Sequence, residues 1–258
     1  MKILNSQQIG TGNKNIIILH GFLGMGDNWR GFAKRFDGTK FRFNLVDQRN
    51  HGKSFWHESM SYDDMAKDLL LFCNSQKIHN SIVIGHSMGG KTAMKFSLLF
   101  PEMVEKLIVV DIAPKAYPVH HDLIIEGLSK LNFNEIKSRA QADQLLAQEV
   151  KEQGVRQFLL KSLYWKEKKR LAFRFNLYAI ASHIKEVGRP LGHGTAYTKA
   201  CLFVDGADST YINEEDEDLI LMHFPNAEII TINDAGHWVH AQQPKQFYET
   251  ILRFCLTA

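Results

Sequence analysis

A serine flanked by glycines is the feature of this sequence that most directly indicates chemistry. The segment Gly-His-Ser-Met-Gly occupies residues 85–89, after a strand-like run at 81–84 and before a helical pattern. Glycines on both sides of the serine allow a strained strand-to-helix turn from which the hydroxyl projects. The N-terminus of the following helix stabilises negative charge near that hydroxyl. We therefore predict that Ser87 is a nucleophile.

A second glycine turn follows the apolar run Ile16–Leu19 and has the sequence His-Gly-Phe-Leu-Gly, residues 20–24. A tight turn at the end of a strand can direct a backbone N–H at a substrate oxygen. Two such donors form an oxyanion hole, which stabilises the charge that develops during acyl transfer. We predict the N–H groups of Phe22 and Met88 for this role.

His237 is the predicted general base among the twelve histidines of the chain. It lies just beyond the strand-like run Ile229–Ile232, on a loop that can deliver an imidazole to a distant nucleophile. His86 is expected to pack within the serine turn, and His240 to face elsewhere. Because no histidine pairs with carboxylates at a ligand spacing, we predict no metal site.

Two aspartates compete to be the acid that orients the base. Asp208 follows the run Leu202–Val204, and Asp111 ends the run Leu107–Val110. A carboxylate at either position could hold the imidazole tautomer and stabilise the imidazolium. The residue pattern alone leaves both open.

Short β-branched runs alternate with longer amphipathic ones, which predicts a mostly parallel sheet flanked by helices in an α/β fold. The predicted strands are an edge near Ile3–Ile9 and then Ile16–Leu19, Phe43–Val46, Ile82–Ile84, Leu107–Val110, Leu202–Val204 and Ile229–Ile232. Three helices are predicted most clearly. The first starts after a capping motif at Ser61 and ends near Lys77, and the other two cover Met88–Phe100 and Gln243–Leu256.

Residues 115–188 interrupt this alternation with helical patterns, many aromatic residues and no convincing strand. We predict a helical cap inserted over the carboxyl edge of the sheet, where ligands of open α/β sheets bind. Residues 1–114 and 189–258 would then form the core domain. A helical subdomain that only covers core is the alternative.

The composition indicates an ordinary globular protein of 258 residues, with 45% hydrophobic and 23% charged residues. A formal net charge of +3 is too small to indicate nucleic acid as a partner. No apolar stretch approaches the ~18 residues of a membrane span, and a secretory leader pattern is absent. Three cysteines without a CxxC pair fit a reducing compartment. We therefore predict a cytoplasmic protein, and the sequence indicates no particular oligomeric state.

Taken together, these segments resemble the α/β-hydrolase superfamily, and more closely its YbfF-type branch of small bacterial esterases and acyl-CoA thioesterases. The resemblance covers nearly the whole chain and rests on residues 20–24, 47–54 (D-Q-R-N-H-G-K-S), 85–90, 111–114 (D-I-A-P) and 236–241 (G-H-W-V-H-A). It implies Asp111 as the acid, although an acid at Asp208 departs from the pattern of the branch.

These observations predict a serine hydrolase that cleaves small to medium acyl esters or acyl-CoA thioesters through an acyl-enzyme, without a cofactor. The basic run Lys166–Arg170 is interpreted as a solvated helix face or as an attractor of coenzyme A phosphates. Alternative functions on the same fold are a C–C bond hydrolase or lyase, a haloperoxidase-like enzyme, and a receptor with little turnover.

Overall fold

A computed structural model describes residues 2–36, 38–118, 121–168, 170–192, 194 and 196–257. The strands are β1 (Ser6–Ile9), β2 (Lys14–Leu19), β3 (Phe41–Val46), β4 (Ser81–His86), β5 (Val104–Val110), β6 (Leu163–Glu167), β7 (Arg170–Phe173), β8 (Cys201–Gly206) and β9 (Ala227–Ile232). The α-helices are α1 (Arg30–Lys34), α2 (Tyr62–Gln76), α3 (Met88–Leu99), α4 (Asp122–Ser129), α5 (Arg139–Leu146), α6 (Gln153–Leu160), α7 (Leu177–Ser182), α8 (Ile184–Val187), α9 (Glu217–His223), α10 (Val239–Gln242) and α11 (Pro244–Leu256).

Seven strands form one sheet in the order β1-β3-β2-β4-β5-β8-β9. Only the edge strand β1 pairs antiparallel with its neighbour, and the other pairings are parallel. The central strands are covered on both faces, which is why they appear in the sequence as continuous β-branched runs. The predicted α/β fold with a mostly parallel sheet is confirmed, and every predicted strand is present.

Helices pack on both faces of the sheet. On one face, α2 and α3 contribute Leu69, Phe72 and Phe96 to a buried cluster, and on the other α11 contributes Phe247 and Ile251. The capping motif predicted for α2 is also present, because the hydroxyl of Ser61 accepts the N–H of Asp64 at 3.1 Å. The predicted helices are therefore confirmed to within a residue or two at their ends.

Residues 115–188, called the insertion below, connect β5 to the next sheet strand and contain α4 to α8. The expectation of no strand in this segment was wrong, since β6 and β7 pair as an antiparallel hairpin. Leu171 and Phe173 alternate inward on β7, a pattern too short to be recognised without its partner strand. The run 166–170 thus belongs to the hairpin and not to a helix; Lys169 lies outside the described residues.

The insertion packs on the carboxyl edge of the sheet. Its buried side chains, among them Leu159 and Phe175, form one cluster with Phe22 and Met88 of the core. The insertion therefore lies against both backbone positions that were predicted to hold an oxyanion.

Within the described ranges, no helix combines the length and the apolar character needed to cross a bilayer. The three cysteines, Cys73, Cys201 and Cys255, are buried free thiols.

Candidate active site

Ser87 lies in a sharp turn between β4 and α3 and has a strained backbone, with φ +53° and ψ −119°. A Cβ atom at Gly85 would lie 2.2 Å from the carbonyl oxygen of Gly89. One at Gly89 would lie 2.3 Å from the carbonyl oxygen of Leu19. Because backbone occupies both spaces, only glycine fits at either position, and the spacing of the two glycines follows directly from this turn.

The structure brings Ser87, His237 and Asp111 into one hydrogen-bonded line. The hydroxyl of Ser87 lies 3.1 Å from Nε2 of His237, and Nδ1 of the same ring lies 2.6 Å from Oδ2 of Asp111. The carboxylate accepts the Nδ1 proton, which leaves Nε2 free to accept the proton of Ser87. Each of the three residues follows the carboxyl end of a parallel strand, so the topology of the sheet gathers them at one edge.

Asp111 is completely buried and has a left-handed backbone, with φ +51°. Its Oδ2 also accepts the hydroxyl of Ser209 at 2.6 Å, and its Oδ1 accepts the N–H of Gly206 at 3.3 Å. These donors fix the carboxylate in the orientation that receives His237. Left-handed backbone is one that aspartate and asparagine tolerate better than most residues.

Asp208, the other candidate acid, is not brought to His237. It is exposed on the loop after β8, and its backbone N–H donates to the carbonyl oxygen of Ala235. The loop turns its side chain outward, whereas Ser209, the next residue, turns inward to Asp111.

One aromatic contact and one hydrogen bond hold the ring and the loop of His237. The ring of Tyr211 stacks on that of His237, with centroids 3.9 Å apart. His86 donates from Nε2 to the backbone carbonyl of His237 at 2.8 Å. Burial lowers the pKa of His86 well below its usual value, so this donor is a neutral imidazole. The expectation that His86 packs in the turn is confirmed. His240 lines the same cavity, where its ring stacks on that of Trp29 and lies 5.0 Å from that of His86.

The two predicted oxyanion donors are backbone N–H groups that have no acceptor among the described residues. Neither the N–H of Phe22 nor that of Met88 hydrogen-bonds to another described residue. Their neighbours are engaged, since Leu23 donates to Nε2 of His51 and Gly24 donates to the carbonyl of Gly21. Met88 is the first residue of α3, where the helix dipole adds partial positive charge.

The loop of residues 47–51 supports the turn that contains Phe22. Gln48 donates its backbone N–H to Nε2 of His20 and its side-chain amide to the carbonyl of His20. Burial lowers the pKa of His20 to about 4 and that of His51 to about 3, so both rings are neutral acceptors at neutral pH. Arg49 lies away from the serine and pairs with Asp68. Through these contacts the loop braces the turn that contains Phe22.

A cavity of about 1000 Å³ opens onto the serine. Ser87, His237 and Phe22 line it from the core, and Ile124, Val155, Phe158 and Leu159 line it from the insertion. Its charged lining residues are Arg35 and Lys161, and none of the described residues that line it is a carboxylate. The cavity is thus mostly apolar, with cations as its ionic groups.

Sequence reasoning missed Ser209 and Tyr211. No local motif marks either residue, and both owe their contacts to the fold of the loop after β8. Across the part of the chain that the structure describes, no three His, Cys, Asp or Glu side chains are arranged to hold a metal ion.

Comparison with known proteins places this geometry in a family. The family model for the α/β-hydrolase fold matches residues 14–144. The esterase YbfF of Escherichia coli K12 is 35% identical over 94% of this chain and 93% of its own length. The chain belongs to the α/β-hydrolase family. The predicted superfamily, its YbfF-type branch and the hydrolytic class of enzyme are confirmed.

Two further relatives extend the comparison of this α/β-hydrolase. An sn-1-specific diacylglycerol lipase of Mus musculus, ABHD11, is 35% identical over 93% of this chain and 80% of its own length. The solved structure of a marine microorganism esterase is 38% identical and superposes with a TM-score of 0.95, covering 98% of this chain and 100% of that one. The hydrolase therefore shares its fold with esterases over practically its whole length.

Proposed function

We propose that this hydrolase cleaves carboxylic esters of small to medium acyl groups through a covalent acyl-enzyme. The observation that carries the proposal is the continuous hydrogen-bonded line from Ser87 through His237 to buried Asp111, at the wall of a cavity large enough for a small-molecule substrate. Ester-cleaving relatives that match most of the chain support the same reaction class.

In the proposed reaction, His237 takes the proton of Ser87 as the serine oxygen attacks the ester carbonyl. The N–H groups of Phe22 and Met88 receive the oxyanion, and His237 returns the proton to the leaving alcohol. Water, deprotonated by the same imidazole, then attacks the acyl-enzyme and releases the acid. Each amide donor in a comparable site contributes about 3–4 kcal/mol to the transition state.

The insertion is proposed to act as a cap over this site. Its apolar residues Ile124, Val155 and Phe158 form the wall that an acyl chain would contact. Burying such a chain contributes about 0.8 kcal/mol per methylene group, which favours butyryl and longer esters over acetyl esters until the wall is filled.

Acyl-CoA thioesters are a second candidate substrate, favoured by the charge of the cavity. Arg35 and Lys161 lie on its lining, both exposed, with no opposing carboxylate among the described lining residues. Guanidinium and ammonium groups there suit the phosphates of a coenzyme A leaving group that extends toward solvent. A thiol leaves more readily than an alcohol, so the same residues suffice for the chemistry.

The test is a panel of p-nitrophenyl acetate, butyrate and octanoate beside acetyl-CoA and octanoyl-CoA. We expect turnover of the esters by the wild type, its loss in Ser87→Ala, and normal turnover in the control Ser75→Ala, whose hydroxyl donates to the carbonyl of Phe72 within α2. Full activity of Ser87→Ala would refute the nucleophile. Preference for a diketone substrate would indicate C–C bond hydrolysis, and no turnover together with no fluorophosphonate labelling would indicate a binding protein.

The coenzyme A proposal has its own test. Replacing Arg35 and Lys161 together by alanine is expected to raise KM for octanoyl-CoA several-fold and to leave KM for p-nitrophenyl octanoate unchanged. Equal effects on both substrates would exclude recognition of the phosphates.

A further inference from the structure

A buried lysine lies one helical turn beyond the proposed nucleophile. Lys91 of α3 is completely buried, and its backbone N–H donates to the carbonyl oxygen of Ser87 at 3.1 Å. Its ammonium donates to three backbone carbonyl oxygens, those of Lys115 at 2.9 Å, of Gly188 at 3.4 Å and of Arg189. Three acceptors use all three donors of an ammonium group.

Those carbonyls belong to the two ends of the insertion. Lys115 lies where the chain enters it, and Gly188 and Arg189 lie where the chain leaves it. The two ends also bond to each other, from the N–H of Tyr117 to the carbonyl of Gly188 at 2.8 Å and from the N–H of Leu191 to that of Pro114 at 3.0 Å. These two paired ends, residues 114–117 and 188–191, are called the hinge below. The amine of Lys91 therefore connects the hinge to α3, the helix that follows Ser87.

The hinge is also linked to the proposed base. The ring of Tyr117 lies 4.8 Å from the ammonium of Lys91, within cation–π range. The hydroxyl of Tyr117 donates to the carbonyl of Tyr211 at 2.5 Å, and the ring of Tyr211 stacks on His237. A continuous set of contacts thus runs from the amine through the hinge to the imidazole.

The surroundings of Lys91 disfavour the charged form of its amine. Among the described residues no carboxylate forms an ion pair with Lys91, and burial lowers the pKa of its amine to about 7. Burying an amine costs free energy unless its donors are hydrogen-bonded, and here the acceptors are backbone carbonyl oxygens at the two ends of the insertion. An amine kept in such surroundings indicates a need for its directed hydrogen bonds.

We propose that Lys91 is a positioning residue that holds both ends of the insertion over the cavity. It keeps Phe158 and Leu159 at the distance from Ser87 that an acyl chain requires. This inference rests on the proposed function, since it concerns how the cap presents its wall to the acyl group. Lys91 itself does not reach the substrate.

The experiment compares Lys91→Met with a matched control, Lys106→Met. Lys106 is also buried, and its ammonium donates to the carbonyls of Phe254 and Thr257 at the end of α11, away from the cavity. We expect Lys91→Met to raise KM for p-nitrophenyl octanoate at least about fivefold, with kcat for p-nitrophenyl acetate within about twofold. Lys106→Met is expected to change neither value.

Hydrogen exchange gives a readout that does not depend on turnover. In Lys91→Met the hinge amides of Tyr117 and Leu191 should exchange at least about tenfold faster than in the wild type, and in Lys106→Met they should not. Unchanged hinge exchange and an unchanged KM ratio in Lys91→Met would overturn the proposal. Failure of the proposed function would differ, since the wild type would then lack turnover and labelling of Ser87.

Wild-type exchange decides the question if Lys91→Met does not fold. If Lys91 holds the hinge to α3, the hinge can open only when α3 also unfolds locally. The amides of Tyr117 and Leu191 should then exchange with solvent no faster than the amide of Lys91. Hinge amides that exchange about a hundredfold faster than that amide would show that the ends of the insertion move independently of the helix, and would refute the clamp.

Discussion

Replacing Asp111 by asparagine tests the orienting acid with the least disturbance to the fold. The two side chains are nearly the same size, and asparagine also tolerates the left-handed backbone found there, with φ +51°. The change therefore removes charge and one acceptor without adding backbone strain. Asp208→Asn is the matched control, since that carboxylate is exposed on the neighbouring loop.

The hydrogen bonds of Asp111 determine the expected magnitude. Oδ2 accepts both Nδ1–H of His237 and the hydroxyl of Ser209, and Oδ1 accepts the N–H of Gly206. An asparagine amide placed at Oδ2 would face Nδ1 and force the proton to Nε2, where the imidazole could no longer accept from Ser87. Placed at Oδ1, it would face the N–H of Gly206. The first orientation therefore imposes the wrong tautomer on His237, and the second sets one donor against another.

A wrong tautomer of this kind lowers kcat by about 10³- to 10⁴-fold in serine hydrolases, equivalent to about 4–5.5 kcal/mol of the activation barrier. The assay is the rate of p-nitrophenyl butyrate hydrolysis, with the urea midpoint of each variant measured alongside. We expect Asp208→Asn to stay within about twofold of the wild type. If Asp111→Asn keeps more than a tenth of wild-type activity, or Asp208→Asn loses as much, our assignment of the acid is refuted.

Three other outcomes follow from the contacts described. Gly89→Ala should lower the urea midpoint and reduce activity at least about a hundredfold, because its Cβ would lie 2.3 Å from the carbonyl of Leu19; an active, stable variant would show that the turn can relax. Tyr211→Leu should reduce kcat about two- to thirteenfold with little change in KM, since the stacked ring orients His237 and such contacts contribute about 0.5–1.5 kcal/mol. Burial lowers the pKa of His240 to about 3, so the unfolded chain binds a proton below pH 6.5 that the folded protein does not. The contribution of neutral His240 to the free energy of unfolding is therefore fully present well above pH 6.5. It is lost as the pH falls, by about 1.4 kcal/mol at pH 5.5. In urea unfolding, the free energy of unfolding should fall by about 1.4 kcal/mol less between pH 7.5 and 5.5 in His240→Phe than in the wild type. An equal fall in both proteins would contradict a lowered pKa of His240.

The strands and the serine turn could be predicted because their signals are local. Ile16–Leu19 is apolar at every position because both faces of that strand are covered, and coverage of both faces leaves a continuous run in the sequence. The glycines at 85 and 89 are required by backbone contacts on either side of Ser87. Such requirements act within a few residues of the chain and can be read without knowing the rest of the fold.

The hairpin β6–β7 could not be predicted in the same way. Each strand is short, and the first carries mostly exposed side chains, so neither has a periodic pattern of useful length. Their pairing depends on Leu171 and Phe173 reaching a cluster built from distant helices. Burial of Leu171 and Phe173 in the folded protein therefore favours a strand, although the charged run at 166–170 alone suggested a helix.

By itself, the sequence determined the α/β fold, the position of the serine turn and the strand end that carries His237, because each depends on residue types at short spacing. Only the tertiary structure decided that Asp111 meets His237 while Asp208 faces solvent, that Ser209 and Tyr211 contact these two residues, and that the amine of Lys91 reaches both ends of the insertion. Those contacts join segments many residues apart, and which loop turns inward depends on how the whole sheet and the insertion pack. Distances between such segments are set by the fold, and no local pattern encodes them.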